Sequence, residues 1–207
     1  MAFEYFAVST GPLQVNSYLL HNSNKQCIII DPAQGCSEIL NFIKSNALSV
    51  SAVVLTHGHF DHITGIPEVL ERYPDTDIYI HPSDLPMLRN SEFNGSVMLG
   101  LSFSYEGPVA SIQEGKASLG GFELEFIHLP GHTPGGCAVV IDKVCFSGDV
   151  LFAGSVGRSD FPCGDGKLLI EGIKEKLLKL SDDTTVCPGH GGRTTIGREK
   201  RQNPFLV

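Results

Sequence analysis

The sequence predicts an α/β chain, α+β in some schemes, in which two mixed sheets pack together with helices outside. Three observations carry that expectation. Short strand-like runs dominate both halves, each half passes from strands into a helix of 3.6-residue period, and Ala52-Val53-Val54-Leu55 is apolar without alternation, as a strand covered on both faces would be. No convincing internal repeat relates the halves. At 207 residues the chain is long enough for a core of its own and is read as one domain, 1–207.

Strands are expected over Phe3–Ser9, Leu13–His21 and Lys25–Asp31, with a Thr10-Gly11-Pro12 turn after the first and Asp31-Pro32 closing the third. The spacing of Ile39, Leu40, Phe42, Ile43 and Leu48 predicts an amphipathic helix from Gly35 to about Asn46. The strand Ala52–Leu55 follows. Thr64 is then the expected cap of a helix running to Arg72, with Pro67 tolerated in its first turn. Asp77–His81 reads as a strand and Pro82–Arg89 as a short helix. Residues 90–106 follow neither period, so a flap over a site and a packed insertion both stay open. Further strands are expected at Val109–Ile112, Lys116–Leu119, Phe122–His128, Cys137–Ile141 and Val144–Ser147. Asp165–Leu180 has the best helical period, with Leu168, Leu169, Ile173, Leu177 and Leu178 on one side. Thr184–Cys187 closes the strands, and a short helix spans Ile196 to about Arg201.

Composition narrows the partners. Hydrophobic residues make up 42% and charged residues 18%, and mean hydropathy is +0.06, all ordinary for a soluble globular chain. A net charge of −8 with no basic stripe would repel a phosphate backbone, which argues against nucleic acid. The four positive charges of 193–201 read as a solvated helix face. The N-terminal Met1–Phe6 shows no leader and no run is long enough to span a bilayer, so a cytoplasmic location away from membranes is expected. Cys27, Cys36, Cys137, Cys145, Cys163 and Cys187 form no C-x-x-C pair and are expected to be free.

The chemistry gathers where the Ala52–Leu55 strand ends. His57, His59, Asp61 and His62 fall within six residues, a stretch too polar to be expected as a buried helix. His132, Asp149 and His190 stand at equivalent places, each after an expected strand and each preceded by glycine, which permits a tight turn and close approach to a shared centre. Imidazole and carboxylate without a cysteine pair suit a working zinc site, with iron or manganese as alternatives. Seven such groups exceed the needs of one tetrahedral ion. Two divalent metal ions sharing a carboxylate are therefore expected, and such a pair lowers the pKa of bound water toward about 7 and leads to hydrolysis.

The motif His57-x-His59-x-Asp61-His62, followed in order by His132, Asp149 and His190, resembles the metallo-β-lactamase superfamily over nearly the whole chain. That resemblance implies a four-layer αβ/βα sandwich with the site along one sheet edge. It implies that His57, His59 and His132 hold one metal and Asp61, His62 and His190 the other. Asp149 would bridge them and Asp61 would accept the proton of a metal-bridging hydroxide's parent water, which makes these two the catalytic carboxylates. Gly131–Gly135, Ser147–Phe152, Gly157–Phe161 and the ending Asn203-Pro204-Phe205-Leu206 are similar to the short bacterial members of the glyoxalase II branch, which hydrolyse S-D-lactoylglutathione, a small-molecule thioester. Arg158 takes the place of a basic residue facing glutathione, and pairing with Asp160 or Asp165 is its alternative role. Two departures stand out: the chain ends 17 residues after His190, without the helical domain that grips glutathione in the longer enzymes, and Gly136 stands where many relatives have a second histidine. The rival readings are a mononuclear-iron persulfide dioxygenase, a β-lactamase, a tRNA-processing nuclease and a non-catalytic metal-binding protein on the same scaffold.

Overall fold

Continuous apolar strands need cover on both faces, and the architecture follows from where that cover comes from. The computed structural model describes residues 3–207; Met1 and Ala2, part of the stretch read for a leader, lie outside the described residues. Strands β1 (Phe3–Thr10), β2 (Val15–Asn22) and β3 (Gln26–Ile30) form an antiparallel meander. Helix α1 (Ser37–Ser45) crosses over to the parallel strand β4 (Ser49–Val54). One-turn helix α2 (Phe60–Ile63) and helix α3 (Ile66–Arg72) lead to β5 (Asp77–Ile80). A 3₁₀ turn at Pro82–Asp84 and helix α4 (Leu85–Arg89) then precede β6 (Ala110–Ser111). The first sheet is ordered β1-β2-β3-β4-β5-β6.

The second sheet opens with three antiparallel neighbours, β7 (Gly115–Leu119), β8 (Phe122–His128) and β9 (Cys137–Ile141), joined by β10 (Val144–Gly148). A ribbon of β11 (Leu151–Phe152) and β12 (Ser155–Val156) follows. Then come helix α5 (Gly166–Glu175), β13 (Thr185–Pro188), β14 (Thr194–Thr195) and helix α6 (Ile196–Gln202). Its order is β14-β13-β10-β9-β8-β7, with β10 parallel to β13.

Alternation along each strand divides the apolar residues into three cores. Ile28, Ile30, Ala52 and Val54 meet Phe122, Leu124, Phe126, Val139 and Phe146 between the sheets. Cys27, Ile29 and Val53 face the other way, onto Ile39, Leu40 and Ile43 of α1 and Ile66 and Val69 of α3. On the far side of the second sheet Ala138, Val140, Cys145 and Val186 pack on Leu169 and Ile173 of α5 and on Ile196 of α6. The result is the expected four-layer αβ/βα sandwich of two mixed sheets. Among the described residues no helix is long and apolar enough to cross a membrane. All six cysteines are free, and only Cys163 is exposed.

Three local expectations need correction, and the open reading of residues 90–106 divides. The stretch after His59 is a buried helical turn after all, with Phe60, Asp61, His62 and Ile63 all buried. Thr64 does not cap the following helix; Gly65 occupies that position, and the Thr64 hydroxyl accepts from the Gln34 amide instead. The long helix of the second half stops at Glu175 and tightens into a 3₁₀ turn at Leu177–Lys179, and Leu168 is exposed because the buried stripe is Leu169, Ile173 and Leu177. Segment 90–106 divides between its two readings. Phe103 and Tyr105 pack on the outer core and Asn94 and Ser96 are buried, whereas Phe93, Val97, Met98, Leu99 and Leu101 are exposed.

Phe146 is fully buried between the sheets, edge-on to both Tyr5 (5.4 Å) and Tyr18 (4.9 Å). Phe146→Ala is expected to lower unfolding stability by about 3–5 kcal/mol, measured by urea denaturation, because the rigid sheets cannot close over the space left.

Candidate metal centre

Four strands deliver the functional side chains from their carboxyl ends, where ligands of open α/β sheets gather. His57 and His59 follow β4, His132 lies in the loop after β8, Asp149 directly follows β10, and His190 follows β13. Strands β8 and β10 run the same way because each is antiparallel to β9, and β13 is parallel to β10, so all three end on one edge. The β10–β13 register shifts between Phe146 and Gly148, and Gly148 turns through φ +48. A Cβ there would sit 2.6 Å from the Thr56 Cβ, so only glycine lets this chain pass the β4 loop.

Asp61 and His62 arrive on the one turn of α2. His59 enters it in extended conformation, and the otherwise unmatched amide of Phe60 donates to the Asn94 carbonyl at 3.0 Å. Segment 90–101 thus fixes the start of the turn that carries two site residues. This satisfies the backbone of a buried polar helix too short to satisfy itself.

All seven expected side chains converge. Ring nitrogens of His57, His59 and His132 lie within 4.8 Å of one another, as do ligand atoms of Asp61, His62 and His190. Asp149 stands between the two groups: its Oδ1 is 3.4 Å from His62 Nε2, and its Oδ2 is 3.7 Å from His132 Nε2 and 3.5 Å from His190 Nε2. Asp61 Oδ2 is 3.3 Å from His190 Nε2.

The outward nitrogens are held, which decides what points inward. His132 Nδ1 donates to the Arg158 carbonyl (2.7 Å) and His190 Nδ1 to the Leu13 carbonyl (3.0 Å), leaving each Nε2 facing the centre. His62 Nδ1 lies 2.9 Å from Asp31 Oδ2, and His57 Nδ1 lies 3.1 Å from Thr56 Oγ1. Fixing the outer nitrogen of each ring is how metal-binding histidines are oriented. His59 is turned the other way and brings Nδ1 to within 2.9 Å of His132 Nε2. Buried His57 Nε2 and Asp149 Oδ1 have no hydrogen-bond partner. Orphaned acceptors in a buried, nitrogen- and carboxylate-rich centre are the donor set of a divalent cation, so the residues present fit one.

Charge separates the two groups. Burial, reinforced by neighbouring imidazoles, drives His57 well below the usual histidine range and His59 down to about 3, so both rings are neutral. Burial also opposes charge on His62, but the carboxylates of Asp149, Asp61 and Asp31 overcome it and hold this ring well above the usual range. His190 is raised to about 9 against its partial burial by hydrogen bonds to Asp149 and Asp61. Burial would raise Asp149 and Asp61, yet His62 and His190 hold both below the usual carboxylate range. Without a cation, protons on His62 and His190 thus carry the positive charge that the buried carboxylates require.

The sequence missed two carboxylates. Asp31, in left-handed conformation (φ +50), accepts from the Thr56 amide (2.7 Å) and hydroxyl (2.6 Å) as well as facing His62. Asp31-Pro32 read only as the end of a strand, although a carboxylate at a strand end is the one signal available. Fully buried Asp84 binds the loops on either side of the first histidine group, and nothing in its surroundings in the sequence marks it.

Arg158 lies at the rim, its guanidinium bidentate on Asp160 (2.8 and 2.9 Å) and 3.9 Å over the Phe161 ring. Phe161 in turn stands 5.3 Å from His59. Of the two pairing partners expected for Arg158, Asp160 is the one used; Asp165 caps α5 by accepting from the Leu168 amide. At Gly136 a Cβ would lie 3.1 Å from the Leu129 carbonyl oxygen and 3.2 Å from Thr133 Oγ1, a tight fit in which a larger residue requires its neighbours to shift by a few tenths of an ångström.

The model of a family described as the metallo-beta-lactamase superfamily matches residues 10–190. Hydroxyacylglutathione hydrolase GloC of Haemophilus influenzae is 38% identical over 205 residues, covering 93% of each chain. Among solved structures, BLEG-1 B3 metallo-beta-lactamase superposes with a TM-score of 0.93 at 36% identity, covering 99% of this chain and 100% of that one. TTHA1623, solved in a di-iron-bound form, superposes with a TM-score of 0.87 at 39% identity over 97% and 100%.

The raised His62 and His190 stabilise the metal-free fold only while protonated. That contribution is complete below the unfolded histidine value of 6.5 and disappears as pH climbs through the folded value, about 9 for His190. The urea midpoint of metal-free protein is therefore expected to fall between pH 6.5 and about 9 and to become less pH-dependent when metal is added. A midpoint flat across that window would contradict the charge assignment.

Proposed function

The chain belongs to the metallo-beta-lactamase superfamily, and on that premise we propose that it is a metal-dependent thioester hydrolase of the glyoxalase II type, acting on S-D-lactoylglutathione or a related acyl-thiol. The observation that carries this reading is the pair of three-residue groups with Asp149 between them. His57, His59 and His132 would hold one divalent cation, and Asp61, His62 and His190 a second, with Asp149 reaching both. Two bound cations supply Lewis acidity that polarises a carbonyl and lowers the pKa of bound water toward about 7.

The chain's own groups do the rest. Asp61, with its carboxylate at the edge of the second group, accepts the proton of the attacking water. The half-buried Phe161 ring beside His59 walls the acyl carbon's approach, and its partner Arg158 offers a cation to a carboxylate of the thiol portion. Once the thioester carbonyl is attacked, the thiolate departs as the leaving group and the acid remains. Zinc is the first assignment for the metal, and the di-iron form of TTHA1623 supports iron as the alternative. The 38% identity to hydroxyacylglutathione hydrolase GloC supports the thioester over other acyl substrates.

A second reading has its own support. BLEG-1, a B3 metallo-beta-lactamase, matches the full length of the fold at 36% identity, and β-lactam opening is also attack of water on an acyl carbonyl. Purified protein of measured metal content, assayed on S-D-lactoylglutathione and on a chromogenic cephalosporin, separates the two. Preferred turnover of the thioester is expected. An oxygen electrode with glutathione persulfide covers the dioxygenase alternative, for which no oxygen uptake is expected.

His59→Ala or Asp149→Ala is expected to reduce thioester hydrolysis by at least about a thousandfold, with metal content falling and the circular dichroism of the fold kept. Turnover unchanged in either variant would refute the assignment. Arg158→Ala is expected to raise KM for the glutathione thioester with kcat largely kept, since a contact made equally to substrate and transition state affects binding alone. An unchanged KM would leave Arg158 with only its structural partners, Asp160 and the Phe161 ring.

A further inference from the structure

Asp84 is a fully buried carboxylate that belongs to none of the three clusters of candidate ligands, His57 with His59 and His132, Asp61 with His62 and His190, or Asp31 with His57 and His62. It sits at the N-cap position of α4, where an aspartate ordinarily accepts from its own helix, and it makes no such bond. All its acceptor capacity goes instead to two loops from different sheets. Oδ2 accepts from the Gly58 amide (2.9 Å) and the Thr133 hydroxyl (2.7 Å), and Oδ1 accepts from the Gly135 amide (2.5 Å).

Those partners have telling places in the chain. Gly58 lies between His57 and His59, and Thr133 directly follows His132. Both glycines are required for the approach. A Cβ on Gly58 would meet the Met87 Cβ at 2.6 Å, and one on Gly135 would lie 2.7 Å from Asp84 itself. One carboxylate therefore spans the gap between the β4 loop and the β8–β9 loop. It makes no hydrogen bond to Asp61, His62 or His190; Asp31, by contrast, reaches both groups, His62 directly through Nδ1 and His57 through the Thr56 hydroxyl.

We propose that Asp84 is a positioning residue for the His57, His59 and His132 centre alone, and that it sets the affinity of that metal position separately from the other. The inference rests on the two-metal reading above. Its physical basis is that metal affinity depends on how closely the ligand loops are held before the cation arrives, and the carboxylate holds them through three donors at once. Asparagine in its place keeps the shape but presents an amide NH₂ to one of those three donors. The β8–β9 loop, with His132, then moves relative to His57 and His59.

Stepwise zinc titration in competition with a chromogenic chelator, combined with NMR of the histidine ring nitrogens, reads affinity and identifies the binding rings. In wild type, two equivalents are expected. Asp84→Asn should weaken binding at His57, His59 and His132 by about 10–100-fold and leave His62 and His190 titrating as in wild type. Asp31→Asn, which loosens His62 directly and His57 through Thr56, should instead weaken binding at both positions. Thr133→Val, which removes one of the three donors and keeps the carboxylate, should give a smaller loss of about two- to tenfold at the same rings as Asp84→Asn. This variant decides the matter if Asp84→Asn does not fold. In Asp84→Asn or Thr133→Val, a loss shared equally by both positions, or by neither, overturns the inference while the two-metal reading stands. Fewer than two equivalents bound by wild type overturns that reading and the inference with it.

Discussion

Desolvation of imidazoles and carboxylates at the strand ends is the constraint on which the rest of this structure depends. A buried polar group without a partner costs about 1–3 kcal/mol, and a charged one more. Five histidines cannot share such a space with two aspartates unless each ring has one nitrogen tied to a fixed acceptor and the centre carries compensating positive charge. The first condition is met by the Arg158 and Leu13 carbonyls, by Asp31 and by Thr56 for four of the five rings. Protons on His62 and His190 meet the second in the absence of metal, and cations can replace them. The preference for metal is thus a consequence of burial. In an exposed cluster water would satisfy the same lone pairs and no strong preference would arise.

The fold makes that burial possible because three strand ends of the second sheet arrive on one edge opposite the end of β4. The antiparallel β9 lies between β8 and β10 and contributes no site residue, yet it is what makes those two neighbours run in the same direction. Phe146 anchors β10 in the core between the sheets, three residues before Asp149. The rigidity of that core is transmitted to the centre over one short turn. A register change in β10 would move Asp149 by a full residue and separate it from both groups, so the packing between the sheets and the geometry of the site are one requirement.

Much of this was legible in the chain. The His57-x-His59-x-Asp61-His62 cluster and the glycine before each late ligand mark the seven converging side chains, and short strand-like runs mark both sheets. The failures share a cause. Polar Asp61 and His62 argue against a buried helix over Phe60–Ile63, which holds for a helix that must satisfy itself; here the partners come from Asn94, Asp31 and the centre. Asp84 was invisible because its partners are two backbone amides and a hydroxyl, 26 to 51 residues away in the chain. Local rules of sequence reading break where a functional site supplies, through tertiary contacts, what the segment lacks.

The same distinction separates reaction from substrate. The centre is buried and tied at every ring but one, so its chemistry is written in residues whose types are constrained by what they must satisfy. The rim is governed by weaker rules. Arg158 and Asp160 are exposed and held mainly by each other, Phe161 is only half-buried, and the apolar crown of Phe93, Val97, Met98, Leu99 and Leu101 faces solvent above a base that braces α2 through Asn94. Exposed ion pairs contribute about 0–1 kcal/mol, so substitutions there alter what fits at the rim without disturbing the ties of the buried rings. A chain of this kind can change substrate while keeping its reaction, because the contacts that choose the substrate are not the ones that hold the centre together.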